Sequence, residues 1–162
     1  MMRIPLSLKF GLPVLLVMVI SGCFTKQPPP PAELAAKVLA SEHLNPNADG
    51  IASPIVVRLY ELKSTANFDD SDFFSLYDDD TSALGADLVA KDEFRFKPGE
   101  ERQIHRQLDP ATRFIGVLAA YRDLEGSTWR ASTPIQEHRV NAYTLLLDRN
   151  EVSITQTAAA KQ

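Results

Sequence analysis

Reactive and crosslinking side chains are scarce in this chain. Its 162 residues include one cysteine, Cys23, so no intramolecular disulfide can form. The three histidines, His43, His105 and His138, are far apart in sequence and give no metal-binding spacing. No Lys/Arg cluster is present to track phosphates, so nucleic acid is not an expected partner. The longest apolar run, from Phe10 to Ile20, falls short of the about 20 residues a helix needs to cross a bilayer core. Carboxylates do cluster, at Asp69, Asp70 and Asp72 and again at Asp78, Asp79 and Asp80. Neither run has the Asp-x-Asp-x-Asp-Gly order of a calcium loop, and Ala83 stands where the second would need its glycine. They read as a helix cap, at Asp69 or Asp70, and a solvated turn. His105, among Arg102, Gln103 and Arg106, is expected to face solvent. No constellation advertises catalysis.

What is present begins at the N-terminus. Arg3 and Lys9 give a positive leader, and no acidic residue occurs before Glu33. The short apolar run then ends in Ile20-Ser21-Gly22-Cys23. Charge order and length match a secretory signal, and the final four residues resemble the lipobox of bacterial lipoproteins. Small residues at Ser21 and Gly22 let a signal peptidase close on the backbone, and the Cys23 sulfur would carry the lipid. Cleavage before Cys23 removes two basic residues, so the formal charge moves from −4 to −6. Phe24 follows the cysteine where an inner-membrane retention signal would have Asp, so the outer membrane is the expected destination. Pro28, Pro29, Pro30 and Pro31 lie within a tether from Phe24 to Glu33, read either as polyproline II or as a plain linker. In the extended form, at about 3.1 Å per residue, it would span about 30 Å.

The remaining signals are mostly β, and they predict one domain over residues 34–156 with a tail at 157–162. Leu34 to Ser41 reads as a first strand. Ile55, Val57 and Leu59 alternate with Arg58 and Tyr60 in a second. Phe94 and Phe96 share a face before Pro98-Gly99, the centre of a type II turn, and Glu101 to Leu108 is expected to return as a hairpin partner. Phe114 to Tyr121 is apolar on both faces, as in a central strand covered from both sides, and Gly116 suits a bulge or a close approach. Thr128 to Thr133, carrying Trp129 as a core residue, is a shorter strand; Tyr143, Leu145 and Leu147 return through Val152 and Ile154 as a hairpin. Phe73, Phe74, Leu76 and Tyr77 have helical spacing, and Thr81 to Leu84 gives a second helical turn. The sum is an all-β class: a two-sheet antiparallel β-sandwich with a short helical insertion.

These segments, taken in order, are similar to a known family. Asn45-Pro46-Asn47-Ala48-Asp49-Gly50 and Ser53-Pro54-Ile55-Val56-Val57-Arg58-Leu59-Tyr60-Glu61-Leu62 resemble the TssJ lipoproteins of type VI secretion. Phe68, Asp72-Phe73-Phe74-Ser75-Leu76, Lys97-Pro98-Gly99-Glu100, the run from Phe114 to Asp123 and Trp129-Arg130 extend the match over nearly the whole mature chain. One departure is Ile51-Ala52, where the family often has a basic residue and proline. The resemblance implies a transthyretin-like sandwich, seated on the periplasmic face of the outer membrane, with no cofactor beyond the lipid on Cys23. It implies binding to the C-terminal periplasmic region of TssM, with TssL in the same complex. It also implies a contact loop between the first two strands, comprising Leu44, Asn45, Pro46, Asn47, Ala48, Asp49, Gly50 and Ile51, with Leu44 and Ile51 expected to be exposed.

From the residues alone that loop reads equally well as a connector. Two further classes stay open at this stage: a pilot or accessory lipoprotein of another envelope assembly, and a lipid-anchored module binding a small molecule or glycan.

Overall fold

In the computed structural model of the chain, residues 29–157 are described. The signal segment, Cys23, the start of the tether and most of the tail lie outside them. The elements are β1 (Glu33–Ala40), β2 (Ile55–Leu62), α1 (Ala66–Asp70), α2 (Phe73–Asp78), α3 (Asp80–Leu84), a 3-10 turn (Gly85–Asp87), β3 (Leu88–Phe96), β4 (Glu101–Gln107), β5 (Phe114–Ala119), β6 (Arg130–Pro134), β7 (Val140–Leu147) and β8 (Val152–Gln156).

Two four-stranded sheets result, in the orders β4-β1-β7-β8 and β3-β2-β5-β6. Neighbours are antiparallel except β1 and β7, which run parallel with Glu33 opposite Val140 and Ala40 opposite Leu147. Both of those strands start from the end where the tether enters. Alternation supplies the space between the sheets: Leu34, Ala36 and Val38 from β1, Val57 and Leu59 from β2, Ile115 and Val117 from β5, and Leu145 and Leu147 from β7. Each such large aliphatic side chain, removed from water, contributes about 1.5–3 kcal/mol before entropy is counted.

A third layer explains why β5 is apolar on both faces. Tyr60, Leu62 and Leu118 point out of the second sheet and are covered by Phe68, Phe73, Leu76 and Leu84 of the helices. Gly116 is the close approach that permits this. A Cβ there would lie 3.0 Å from Leu62 Cδ1 and 3.3 Å from Phe68 Cζ. Trp129 sits just ahead of β6 and packs edge-on against Phe73, with ring centroids 5.4 Å apart.

Three expectations change. The caps are Asp72, whose carboxylate accepts the Ser75 N–H at 3.0 Å, and Asp79, which accepts the Ser82 N–H at 3.2 Å; neither Asp69 nor Asp70 caps a helix. The Ser75 hydroxyl, donating at 2.6 Å, and then its N–H hold the exposed Asp72 carboxyl below its usual range. Asp80, expected in a solvated turn, is only 3 % exposed and takes part in a buried ion network. β3 and β4 do not form a hairpin, since they belong to different sheets. The type II turn is present, with Gly99 at φ +73° and the Glu100 N–H on the Lys97 carbonyl at 3.1 Å. However, the Gly99 N–H binds the Ser41 carbonyl at 3.2 Å, and the Ala40 N–H binds the Glu100 carbonyl at 2.9 Å. Those bonds carry the chain around the sandwich corner onto β1.

Candidate functional site

The sandwich has two ends, and they are built differently. Residues 29–32 enter at one end, where the His138 Nδ1–H donates to the Pro30 carbonyl at 2.9 Å and the Leu108 N–H to the Ala32 carbonyl at 2.8 Å. β1 then runs its full eight residues before the first loop begins. At about 3.3 Å per step, the loop 41–54 opens about 23 Å from the entry. The connections 97–100, 120–129 and 148–151 are at the same far end.

That loop is built from fixed hydrogen bonds. Leu44, expected to be exposed, has 0 % exposure and belongs to the core between the sheets. The loop needs an apolar foot here, and the Ser53 N–H closes onto the Leu44 carbonyl at 2.9 Å. Asn45 follows in the left-handed region (φ +46°), where Asn is better tolerated than most residues, and is 3 % exposed. Its Nδ2 donates to the Pro54 carbonyl at 2.8 Å. Its Oδ1 accepts the Arg122 N–H at 2.8 Å, and its own N–H donates to the Arg149 carbonyl at 3.0 Å. One buried residue, through its side-chain amide and its backbone N–H, thus bolts three loops together.

The tip is ordered by a second asparagine. Asn47 Oδ1 accepts the N–H groups of Asp49 at 3.0 Å and Ile51 at 2.9 Å. The Asn47 N–H donates to the Ile51 carbonyl at 2.9 Å, and Gly50, at φ +77°, donates to the Asn47 carbonyl at 2.9 Å. Ala48, Asp49 and Gly50 are exposed, and Ile51 is 63 % exposed, as expected.

Pro46, Asn47 and Ala48 form one wall of a groove of about 550 Å³, whose other lining residues are Arg122, Asp123, Arg149 and Asn150. Those four escape a sequence reading because they lie about 75 to 105 positions beyond the loop, and tertiary bonds such as those of Asn45 bring them to it. Beneath them, the Tyr121 hydroxyl donates to the Asp148 carbonyl at 3.1 Å. Burial raises the Tyr121 phenol above its ordinary value, with the charges of Asp148 and Glu151 adding to the effect. The groove walls are mostly polar, and their backbones are fixed by the Asn45 and Asn47 bonds.

Elsewhere, His43 and His105 are exposed, and Cys23 lies outside the described residues. Among the described residues no group of three or more His, Cys, Asp or Glu could hold a metal ion. None of their helices is long and apolar enough to cross a membrane.

The comparisons with known proteins agree with this architecture. Residues 32–150 match the family described as type VI secretion lipoprotein, VasD, EvfM, TssJ. The chain is similar to the type VI lipoprotein TssJ1 from Pseudomonas aeruginosa, at 42 % identity and a TM-score of 0.79, over 81 % of this chain and 100 % of that one. It is similar to Serratia marcescens Lip, described as a membrane-bound component of the type VI secretion system, at 29 % identity and a TM-score of 0.71, covering 76 % and 97 %. A chain in a structure described as the TssM C-terminal domain from EAEC matches at 25 % identity and a TM-score of 0.65, covering 77 % and 98 %. No curated protein sequence matches. On the extent of the family match and the identity to TssJ1, the chain belongs to the TssJ family of type VI secretion lipoproteins, which are structural components of that system and not enzymes.

Proposed function

We propose that this protein is the outer-membrane lipoprotein of a type VI secretion membrane complex, holding the C-terminal periplasmic region of TssM to the outer membrane, with TssL in the same assembly. Two or three acyl chains on Cys23 would supply the anchor, since a single chain binds a bilayer only marginally and each buried methylene contributes about 0.8 kcal/mol. The Phe24 position supports the outer membrane as the destination.

One observation carries the reading. The loop 41–54 stands at the end of the sandwich remote from the tether, and its backbone is fixed by Asn45 and Asn47. A surface already ordered loses little further freedom on association. The contact surface is then Pro46, Asn47, Ala48, Asp49, Gly50 and Ile51, with the buried Leu44 and Asn45 acting from below as its foot and its bolt.

Titration of the soluble domain with the TssM C-terminal periplasmic region tests this. Deleting residues 47–50 is expected to weaken binding by at least about tenfold, or about 1.4 kcal/mol. The melting temperature should stay close to that of the parent, because the Leu44 and Asn45 attachments remain. Equal affinity for parent and deletion variant would take the loop out of the interface.

A further inference from the structure

Arg122 and Arg149 reach the far-end groove from different loops, yet one residue sets both backbones: Asn45 accepts the Arg122 N–H at 2.8 Å and donates to the Arg149 carbonyl at 3.0 Å. Both side chains are exposed, and among the described residues neither guanidinium has an ion-pair partner. The single carboxylate in the groove lining, Asp123, is turned into its own loop, where it accepts the Gly126 N–H at 3.0 Å. Asp148 and Glu151 flank the same turn as Arg149 but are not among the lining residues. The chain as a whole is acidic, at −4. Two unpaired guanidiniums therefore converge on one polar notch of about 550 Å³ in a protein that otherwise carries an excess of negative charge.

We infer that this groove receives carboxylate side chains of an acidic segment of the docking protein, with Arg122 and Arg149 as the specificity-determining residues. The inference rests on the proposal that the TssM region docks at this end. Guanidinium forks match carboxylates two bonds at a time, which gives direction as well as attraction. Placement favours a protein over a lipid headgroup. The notch lies at the end remote from the tether, and so faces away from the bilayer to which the chain would be anchored. Fixed backbones also mean that little ordering cost falls on the arginines beyond their own side-chain rotamers.

The test is titration of the TssM C-terminal periplasmic region, at low and at raised salt, into three forms of the soluble domain. These are the parent, Arg122→Glu/Arg149→Glu, and Arg122→Lys/Arg149→Lys. Parent affinity should fall as salt rises. Charge reversal should weaken binding by about a hundredfold or more and remove most of the salt dependence. The lysine variant keeps the charge but loses the fork, and should retain more affinity than the glutamate variant at low salt. Melting curves should agree across all three, since both side chains are exposed and unpaired. Tight parent binding with unchanged affinity and salt dependence in the glutamate variant would overturn the carboxylate notch alone. No binding by the parent would overturn the docking proposal beneath it, and the notch with it.

Discussion

Asp80 shows how little a residue's neighbours in sequence say about its surroundings. Asp79, one position earlier, is an exposed helix cap, whereas Asp80 is 3 % exposed. Its carboxylate accepts from Lys91 Nζ at 2.6 and 2.8 Å, from the Tyr60 hydroxyl at 3.2 Å and from Arg58 Nη1 at 3.4 Å. Burial pushes the Tyr60 phenol up to about 12, the Asp80 charge adding to that and Arg58 opposing it. These cations come from cross-strand positions, with Lys91 opposite Tyr60 and Glu93 opposite Arg58, so only the pairing of β2 with β3 reveals the site. Removing the anion takes the acceptor from the buried Tyr60 hydroxyl and the counter-charge from Lys91, while Arg58 keeps Glu93 at 2.9 Å and the Tyr77 carbonyl at 2.7 Å. Asp80→Ala is therefore expected to lose about 2–3 kcal/mol in denaturant unfolding, toward the low end for a buried pair because Lys91 remains half-exposed to water. A loss below about 0.5 kcal/mol would show that the network does not help hold the helices to the sheet. Asn45 teaches the same point. The sequence marks it as a turn former, but not as a buried link between three loops.

At the level of elements, what periodicity can see was legible and what pairing decides was not. β2, β5 and the β7–β8 hairpin follow from alternation and turn residues, and the two-sided apolar character of β5 foretold a cover on both faces. The β3–β4 connection looked like a hairpin because a corner between sheets uses the same turn. The distinction lies in the bonds from Ala40 and Ser41 to that turn, nearly 60 positions away in sequence. Away from that corner, toward the tether end, charge joins the two sheets: Arg106 of β4 bonds Asp92 of β3 and reaches the buried Glu61 of β2 at 2.5 Å. For Gly116 the sequence allows a bulge or a close approach, and the structure shows the close approach. Gly116→Leu would drive a branched side chain into Leu62 and Phe68 and lift the helical layer, at a cost of about 1–3 kcal/mol. A lower denaturation midpoint, with weakened near-ultraviolet dichroism from Phe68, Phe73 and Trp129, is the expected reading. A variant as stable as the parent would mean that the helices are not seated through that gap.

At the scale of the whole domain, the described sandwich has dissimilar ends. The tether end carries the proline entry, bonded to His138 and Leu108, and an apolar pocket of about 290 Å³ beside it, while the far end gathers the fixed loop and the arginine groove. The order of segments revealed the family and the position of the loop. The groove needed the tertiary structure, since its walls come from residues 46–48, 122–123 and 149–150. Lipid at one end and a gripped protein at the other is the central claim, and membrane fractionation addresses both together. Cells would express the soluble TssM C-terminal periplasmic region with either the wild-type lipoprotein or Cys23→Ser. The account predicts that the TssM region floats with outer-membrane vesicles beside the wild type and stays in the soluble fraction beside Cys23→Ser. Flotation with both forms, or with neither, would contradict it.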